Sequence, residues 1–417
     1  MGPKELKKGV VVVGGGPAGL AAAVSAKASG CDDVVIIERG RMLGGILNQC
    51  IHDGFGLHRF KEALSGPEYA QRFIDQVQDL GIETLLNTMV LSINDSREIL
   101  ASSREGLFRI RAGAVVLAMG CRERTAGAIF LPGTRPAGVY TAGVAQNLIN
   151  LQNIMVGEEA VIMGSGDIGL IMARRLALEG ASVKGVYEIL PYPSGLPRNI
   201  QQCLKDFGIP LHLSTTVVEL HGRARLKGVT VARVDEARRV IQGTESFIPC
   251  DTLLLSVGLI PENELSREAG VAIEPLTGGA LVDDTLMTSV EGVFSCGNVL
   301  HVHDLVDHVS EEADMAGHFA ARFAVGEMKP RDSYIPIAPG RGVRYVLPQK
   351  ISGEMDVVIS LRVAEPMEQK AIVGRDQNGR GIFRKKQVKL HPAVMMRIKV
   401  KKEKLQGVSS MEVGVEG

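Results

Sequence analysis

Short runs of hydrophobic residues alternate with alanine-rich segments of helical length in the first part of the chain. Val10 to Val13 is an apolar run, a glycine-rich turn follows it, and Leu20 to Ser29 is rich in alanine. Val34 to Ile37 is a second apolar run. Because β-branched runs favour strands and alanine favours helices, this order predicts a strand, a turn, a helix and a second strand. Gly30 is expected to end the helix.

The same order recurs further along the chain at a constant offset. Both turns have the pattern Gly-x-Gly-x-x-Gly, and their residues are Gly14-Gly15-Gly16-Pro17-Ala18-Gly19 and Gly164-Ser165-Gly166-Asp167-Ile168-Gly169. The second strand of each copy ends at an acidic residue, Glu38 or Glu188. Five positions of the first copy (14, 16, 19, 30 and 38) recur 150 residues later (164, 166, 169, 180 and 188). Such agreement indicates a duplicated structural unit.

This pattern is typical of dinucleotide-binding sites. The first glycine permits the tight turn, the second lets the backbone approach a pyrophosphate, and the third lets helix and strand pack closely. The helix N-terminus then presents free N–H groups to the phosphates. The glycines alone would also suit ordinary tight turns, but that alternative leaves the two acidic residues unexplained. Glu188 would repel a 2′-phosphate, so NAD is favoured over NADP, although the nearby Arg198 keeps NADP open.

The spacing of the later strands predicts how the two copies are arranged along the chain. Ala114 to Met119 ends at Gly120, and Thr252 to Val257 ends at Gly258, so each copy has a closing strand. We therefore predict an α/β protein with two Rossmann-like dinucleotide-binding domains, the second inserted in the first, and a small β-rich C-terminal module. The expected segments are 1–121 and 259–330 for the first domain, 122–258 for the second and 331–417 for the module.

The chain after the insertion is expected to complete the first domain and then to form the C-terminal module. A strand over 288–294, the turn Cys296-Gly297-Asn298 and a helix over 305–323 would complete the first domain. In the C-terminal module, strands are expected over 340–349, 355–363 and 388–400, with a turn at 376–379. Residues 331–417 hold 17 Lys and Arg against 9 Asp and Glu, which gives 17 − 9 = +8. This positive charge belongs either to a solvated surface or to a docking surface for an acidic partner.

Overall composition excludes several classes of function. Lys plus Arg and Asp plus Glu are both 47, so the chain lacks the net positive charge of nucleic-acid binders, and with 4% aromatic residues and no Trp it is poor in the residues that stack on bases. Six scattered cysteines favour a reducing compartment, and a cytoplasmic location is expected. The uncharged run after Lys7 and Lys8 resembles a secretory signal, but its glycines and proline favour a strand, a turn and a helix, and no transmembrane segment is expected.

These residues together resemble a known group of flavoproteins. The paired turns, Gly44-Gly45 and Gly297-Asn298 resemble the pyridine-nucleotide-disulfide oxidoreductase superfamily over about residues 9 to 325. The sequences of residues 43–52 and 118–124 are similar to those of the FAD/NAD-binding proteins associated with anaerobic glycerol-3-phosphate dehydrogenase. They are also similar to those of the flavin subunits of opine, proline and hydrogen-cyanide-forming dehydrogenase complexes. The resemblance implies FAD in the first domain and NAD(H) in the second.

The resemblance also implies which residues bind the cofactors. The residues expected to bind FAD are Gly14, Gly16, Pro17, Ala18, Gly19, Glu38, Arg39, Gly44, Gly45, Val90, Ala118, Gly120, Gly297 and Asn298. Those expected to bind NAD are Gly164, Gly166, Asp167, Ile168, Gly169 and Glu188. The superfamily usually has Gly-Asp where this chain has Gly297-Asn298, which is expected to weaken flavin binding without abolishing it.

A second departure concerns the cysteines. Disulfide reductases of the superfamily carry a cysteine pair that this sequence lacks, so a thioredoxin- or glutathione-reductase role is not expected. Cys50 and His52 fall in the segment that approaches the flavin in relatives, where a thiolate and a proton-transferring imidazole would be the catalytic groups; simple packing is the alternative. A further cluster is formed by His301, His303, Asp304, Asp307 and His308. Its residue types would suit a metal, but it lacks a metal-ligand spacing, so no metal is expected; lining the flavin edge is one alternative role.

These expectations lead to one preferred function and two alternatives. The preferred function is an FAD-dependent oxidoreductase that transfers a hydride between NAD(H) and FAD, as an electron-relay subunit of a multi-component dehydrogenase. Its expected partner is a dehydrogenase subunit or an electron carrier that binds the basic module, and a homo-oligomer is also open. The alternatives are a self-sufficient NADH oxidase or diaphorase and a non-catalytic scaffold that retains the nucleotide folds.

Overall fold

The computed structural model describes residues 3–328, 331 and 333–417 of the chain. The residues divide into two compact units, Met1–Cys121 with Pro261–Gly417, and Arg122–Ile260. The second unit is thus a continuous insertion in the first. The expected limits of this insertion were 122 and 258, and the expected boundary at residue 330 lies outside the described residues.

Both units contain α-helices and β-strands. The helices are α1 (Pro17–Ala28), α2 (Gly66–Asp79), α3 (Ala142–Gln152), α4 (Asp167–Leu178), α5 (Pro197–Asn199), α6 (Glu264–Glu268) and α7 (Val306–Ala324). The strands before the C-terminal module are β1 (Lys4–Val13), β2 (Val34–Ile37), β3 (Glu83–Leu85), β4 (Met89–Ile93), β5 (Glu98–Ser103), β6 (Gly106–Leu117), β7 (Cys121–Glu123), β8 (Val139–Thr141), β9 (Glu159–Met163), β10 (Ser182–Tyr187), β11 (Leu211–His212), β12 (Thr215–Gly222), β13 (Leu226–Arg233), β14 (Ser246–Pro249), β15 (Thr252–Leu255), β16 (Leu259–Pro261) and β17 (Val293–Ser295). Those of the module are β18 (Ile335–Pro339), β19 (Val343–Leu347), β20 (Lys350–Ile351), β21 (Val357–Val363), β22 (Met367–Asp376), β23 (Gly381–Leu390), β24 (Met396–Val400) and β25 (Met411–Glu416).

The main sheet of the first unit has the strand order expected of a doubly wound domain. Its order is β3-β2-β1-β6-β5-β4, with β17 paired to β6. Strands β1, β2, β3, β6 and β17 are parallel, and β4 and β5 form an antiparallel extension. Residues 10–13 of β1 are buried on both faces, as a continuous β-branched run requires. Helices α1 and α7 pack closely together, since the Cβ of a residue replacing Gly317 would lie 2.0 Å from the carbonyl oxygen of Ala22.

The second unit repeats this architecture on a smaller scale. Its parallel sheet has the order β11-β10-β9-β15-β8, and a separate antiparallel sheet is formed by β12, β13 and β14. In the first unit Val13 lies between Ile37 and Leu117, and in the second Met163 lies between Tyr187 and Leu255. The two central strands therefore end at equivalent positions. The predicted fold class, with two Rossmann-like domains and a β-rich C-terminal region, is confirmed.

The C-terminal module has two sheets and a hydrophobic core of its own. Their strand orders are β20-β18-β25-β22-β23 and β19-β21-β24. Side chains from both sheets, including Ile359, Leu361 and Val413, form that core. The predicted turn at 376–379 connects β22 to β23, where Asp376 N donates to the carbonyl of Arg380.

Several of the expected strands differ in length from those observed. The strand expected over 288–294 is replaced by β17, because residues 288–292 form a turn in which Val290 N donates to the Thr288 hydroxyl, Val293 N donates to the Val290 carbonyl and Gly292 has φ +76°. The strand expected over 388–400 is divided between β23 and β24, since Pro392 lies in a turn between them. The strand expected over 340–349 is the shorter β19. Among the described residues, no helix combines the length and the hydrophobicity needed to cross a bilayer.

Candidate functional site

The first glycine turn joins β1 to α1 and leaves space in front of the helix. Gly14 has φ +108°, a conformation that favours glycine. A Cβ on Gly19 would lie 1.8 Å from the Gly14 carbonyl oxygen, so the third glycine is needed for packing. A Cβ on Gly16, in contrast, would meet nothing within 4 Å. The helix begins at Pro17, and its first N–H groups face this open space with the positive end of the helix dipole. The turn therefore fits a pyrophosphate.

Glu38 stabilises the first turn from the end of β2. Its Oε2 accepts from Gly15 N at 2.7 Å, and its Oε1 accepts from Gly40 N at 2.6 Å. The side chain is partly exposed, and each carboxylate oxygen retains a second lone pair for a further donor such as a ribose hydroxyl. Glu38 thus combines a structural role in the turn with the acceptor capacity that an adenosine ribose requires.

The second glycine turn repeats these hydrogen bonds at the same offset of 150 residues. Ser165 N donates to Glu188 Oε2 at 2.9 Å, and Leu190 N donates to Oε1 at 3.0 Å. Gly164 has φ +89°, and a Cβ on Gly169 would lie 2.5 Å from Ser256 Cβ. The duplication inferred from sequence therefore extends to individual backbone–carboxylate contacts.

The two turns differ in how open their carboxylates are. Glu188 is 3% exposed, because the segment after it folds back over the turn. The Ser194 hydroxyl donates to Glu188 Oε2 at 2.9 Å, and Ser194 N donates to the Ser165 hydroxyl at 2.8 Å. Asp167, at the start of α4, accepts from Leu196 N at 2.8 Å. The Ser165 hydroxyl donates to the same Oε2 at 2.5 Å, so a ribose hydroxyl that reaches this oxygen must replace one of the two serine hydroxyls.

Two later segments of the chain meet at the first turn. Gly44 N donates to the Gly15 carbonyl at 2.8 Å, and a Cβ on Gly45 would lie 2.9 Å from Gly16 Cα. Gly297 has φ +72°, and a Cβ there would lie 2.7 Å from Ala18 Cβ. Both glycine segments therefore approach the open space in front of α1, which is the arrangement a large phosphorylated cofactor needs.

The remaining residues expected at the first site lie around the same turn, and only the side-chain oxygen of Asn298 is used differently from the expectation. Gly14 packs against the carbonyl of Ala118, and Gly120 follows with φ +75°. Thr88 N donates to the Glu38 carbonyl, so the chain passes Glu38 just before the buried Val90. Arg39 is exposed beside Glu38. Asn298 Oδ1 accepts from His303 N at 3.0 Å, so this oxygen orders its own loop, whereas the amide nitrogen can donate to a ribityl chain.

Cys50 and His52 lie after the Gly44-Gly45 segment, in a setting that disfavours a thiolate. Cys50 is buried, and its thiol donates to the Ile46 carbonyl. Burial raises the pKa of this thiol to about 12, so it stays protonated at neutral pH. The thiolate considered from the sequence is therefore not the form that this environment favours. The His52 ring packs beside Phe55, with ring centroids 5.1 Å apart.

The histidines and acidic residues that follow the Gly297 turn lie in different surroundings. His301 and His303 turn inward to Glu312 of α7, with Nε2–Oε2 distances of 2.8 and 3.4 Å. Elsewhere in the segment, Asp307 accepts from Arg59 N and Asp304 pairs with Arg362. His308 lies over His58, with ring centroids 6.1 Å apart.

Sequence reasoning missed three contacts: Ser194 and Ser256 contact the second glycine turn, and Glu312 contacts Gly297. Glu312 Oε1 accepts from Gly297 N at 2.8 Å. The Ser256 hydroxyl accepts from Gly169 N at 3.2 Å. A signal for Ser256 was available, because it lies two residues before Gly258 as Ala118 does before Gly120. No spacing rule pointed to Glu312, which reaches the turn from the second turn of a helix.

Comparisons with known proteins agree with this geometry. The sequence model of the family described as pyridine nucleotide-disulphide oxidoreductase matches residues 8–317. Hydrogen cyanide synthase subunit HcnB of Pseudomonas aeruginosa is 27% identical over 338 residues, which are 76% of this chain and 70% of that protein. An opine oxidase subunit of Agrobacterium tumefaciens is 26% identical over 347 residues, 77% of this chain and 66% of that protein. The thioredoxin reductase of T. acidophilum has the same fold over 76% of this chain and 99% of its own, with TM-score 0.63 and 23% identity.

Proposed function

Because this chain belongs to the pyridine nucleotide-disulphide oxidoreductase family, we propose that it transfers a hydride between NAD(H) and FAD as an electron-relay subunit of a multi-component dehydrogenase. The observation that carries the proposal is the pair of glycine turns, in which each carboxylate, Glu38 or Glu188, accepts the same two backbone N–H groups. One chain thus offers two places for a dinucleotide. FAD in the first and NAD(H) in the second are the cofactors of this family.

The chain's own residues bind and orient the cofactors in this proposal. Gly16 and the N-terminus of α1 hold the FAD pyrophosphate, Glu38 accepts the ribose hydroxyls, and Gly297 lies beside the same turn. Gly166, Gly169 and Glu188 do the same for NAD(H). When bound, FAD supplies the redox chemistry that side chains lack. No nucleophilic residue is needed for hydride transfer, which agrees with the protonated state of Cys50.

The subunit role is supported by the relatives and by charge. HcnB and the opine oxidase relative are both named as subunits of larger enzymes. Strand β23 of the C-terminal module carries four exposed basic residues, Arg384, Lys385, Lys386 and Lys389. We propose that this strand contacts an acidic partner protein or carrier, with a glycerol-3-phosphate dehydrogenase-like complex as the preferred assembly and a cytoplasmic location.

Anaerobic titration of the FAD-loaded protein with NADH and, separately, NADPH tests the hydride step. We expect one equivalent of NADH to bleach the flavin absorbance, and NADPH to do so more slowly because Glu188 repels a 2′-phosphate. The control is Glu188→Gln, which keeps the side-chain volume and removes the charge. Flavin that stays oxidised with both nucleotides would overturn the hydride step.

Reconstitution with FAD and measurement of turnover distinguish the alternatives. Copurification from the native source with a substrate-oxidising subunit supports the relay role. A lone chain that consumes NADH at full rate with oxygen or a dye indicates an NADH oxidase or diaphorase instead. A protein that stays colourless after reconstitution indicates a scaffold without redox function.

A further inference from the structure

Two imidazoles and one carboxylate converge behind the turn that contains Gly297. His301 and His303 follow that turn, and Glu312 comes from α7. One donor atom from each residue lies within 4.8 Å of the other two. The Nε2 atoms of both histidines point to the same oxygen, Glu312 Oε2, at 2.8 and 3.4 Å. Two nitrogen donors and one carboxylate oxygen form a ligand set used by Zn²⁺ and Fe²⁺.

The cluster is removed from solvent. The side chains of His301, His303 and Glu312 are 1%, 3% and 8% exposed. Exposed acidic groups occur widely without a cation, whereas a carboxylate buried between imidazoles calls for compensating positive charge.

Contacts around the cluster fix the orientation of the donors. Glu312 Oε1 accepts from Gly297 N at 2.8 Å, which directs Oε2 towards the histidines. His301 Nδ1 lies 3.3 Å from the hydroxyl of Tyr345, so its Nε2 is held in place from the opposite side of the ring. Such partners of the second ring nitrogen are typical of metal-binding histidines. Within the described residues, His303 Nδ1 is buried without a hydrogen-bond partner.

A hydrogen-bonded cluster without metal is the competing explanation. In it, both histidines would donate an Nε2–H to Glu312, and the same three atoms would share protons instead of a cation. That arrangement also accounts for two imidazoles at one oxygen, because a carboxylate oxygen accepts two hydrogen bonds, and His303 Nδ1 lacks a partner among the described residues in either arrangement. Metal content distinguishes the two arrangements. We propose that His301, His303 and Glu312 bind a divalent transition-metal ion, with Tyr345 as a positioning residue.

This proposal departs from the sequence expectation of no metal. The histidines and acids of that segment, including Asp304, Asp307 and His308, have no common spacing, and the carboxylate that completes the set lies nine residues after His303. Only the fold of the loop onto α7 brings that carboxylate to the histidines.

Metal analysis of the full-length, FAD-loaded protein tests the site. The protein is equilibrated anaerobically with Zn²⁺, Co²⁺ or Fe²⁺, desalted and analysed by mass spectrometry for metal per chain. We expect about one ion per chain in the wild type and a loss of at least tenfold in occupancy in Glu312→Gln and His303→Asn. The matched control His318→Asn removes a histidine from the same helix that contacts Ser29 instead, and it should keep the ion.

Two further readouts keep the test decisive. X-ray absorption at the metal edge should show a first shell of nitrogen and oxygen with imidazole scattering, and Tyr345→Phe should lower occupancy less than His303→Asn. Thermal melting in each ion checks that every variant is folded. Wild-type protein that retains none of the three ions, or equal retention by Glu312→Gln and wild type, would refute the metal site. None of these measurements depends on NADH oxidation, so failure of the proposed function would leave the result unaffected.

Discussion

At the scale of single residues, the two strand-end glutamates show how one chemical group serves both the turn and the ligand. Glu38 and Glu188 each accept hydrogen bonds from two backbone N–H groups, so each carboxylate stabilises its own turn before any ribose is bound. The difference between them is solvent access, because Ser194 covers Glu188. Individual side chains therefore determine how readily each cofactor site accepts its ribose.

Replacing Glu38 by Gln should weaken FAD binding by about 10- to 100-fold. A hydrogen bond to a charged group contributes about 1.5–3 kcal/mol, and the amide loses the charge and one acceptor. Flavin fluorescence during FAD titration measures the change. The equivalent variant Glu188→Gln serves as the control and should leave FAD binding within about twofold. Equal loss of FAD in both variants would contradict the separate roles of the two turns.

Replacing Ser194 by Ala should strengthen NADH binding by a few fold. The variant removes a hydroxyl that competes with the ribose for Glu188 Oε2, and an ordinary hydrogen bond contributes about 0.5–1.5 kcal/mol. Quenching of NADH fluorescence gives the dissociation constant. Ser182→Ala, at the exposed start of β10, is a suitable control. Weaker NADH binding in Ser194→Ala would mean that the hydroxyl helps the nucleotide rather than competing with it.

Replacing Cys50 by Ser should leave the rate of flavin bleaching by NADH within about twofold. Burial raises the thiol pKa to about 12, so the thiol is neutral through neutral and mildly alkaline pH. Because the neutral form is favoured in the fold, its contribution to stability is present below the usual thiol pKa and is lost as the pH rises towards about 12. Stopped-flow absorbance provides the rate, and a long-wavelength charge-transfer band at neutral pH would contradict the expectation.

At the scale of secondary-structure elements, the turn between β1 and α1 assigns different roles to glycines only three residues apart. A side chain on Gly19 would collide with the backbone of Gly14, whereas one on Gly16 would project into open space. Packing of the strand on the helix therefore explains one glycine, and the phosphate of a cofactor explains the other.

Gly16→Ala and Gly19→Ala should therefore affect different properties, FAD binding in the first and stability in the second. Gly16→Ala should leave the thermal stability of the FAD-free protein nearly unchanged and weaken FAD binding at least tenfold, because the methyl group occupies the phosphate position. Gly19→Ala should lower the stability of the FAD-free protein by about 1–3 kcal/mol, the usual effect of overpacking. Thermal melting and FAD titration separate the two effects. Stable Gly19→Ala protein with normal FAD affinity would show that the turn can relax.

At the scale of the whole molecule, the C-terminal module uses part of its positive charge within its own unit. Arg331 donates to Asp284 at 2.6 Å, and Ser352 donates to the same carboxylate. Arg397 pairs with Glu311 on α7. Some basic residues of the module therefore attach it to the first domain, and only the others remain for a solvated surface or a docking surface.

Replacing Asp284 by Ala should loosen this attachment. Asp284 is 1% exposed, and removal of one member of a buried ion pair costs about 3–5 kcal/mol. The expected result is a lower melting temperature and faster proteolysis near residues 331–352. Asp356→Ala is the matched control, because Asp356 pairs with Lys401 at the surface, where an ion pair contributes about 0–1 kcal/mol. Equal proteolysis of both variants would argue against Asp284 as an attachment point.

The sequence by itself determined the duplicated turns and the order of elements around them. These features depend on residues close in sequence, where the steric needs of glycine and the periodicity of strands act locally. Tertiary structure alone decided that Ser194 covers Glu188, that Glu312 joins His301 and His303, and that Asp284 receives the C-terminal module. Each of these contacts depends on loop and helix geometry that brings separated side chains together, and no local pattern specifies that geometry. The burial that keeps Cys50 protonated has the same origin, because solvent exclusion is a property of the packed chain.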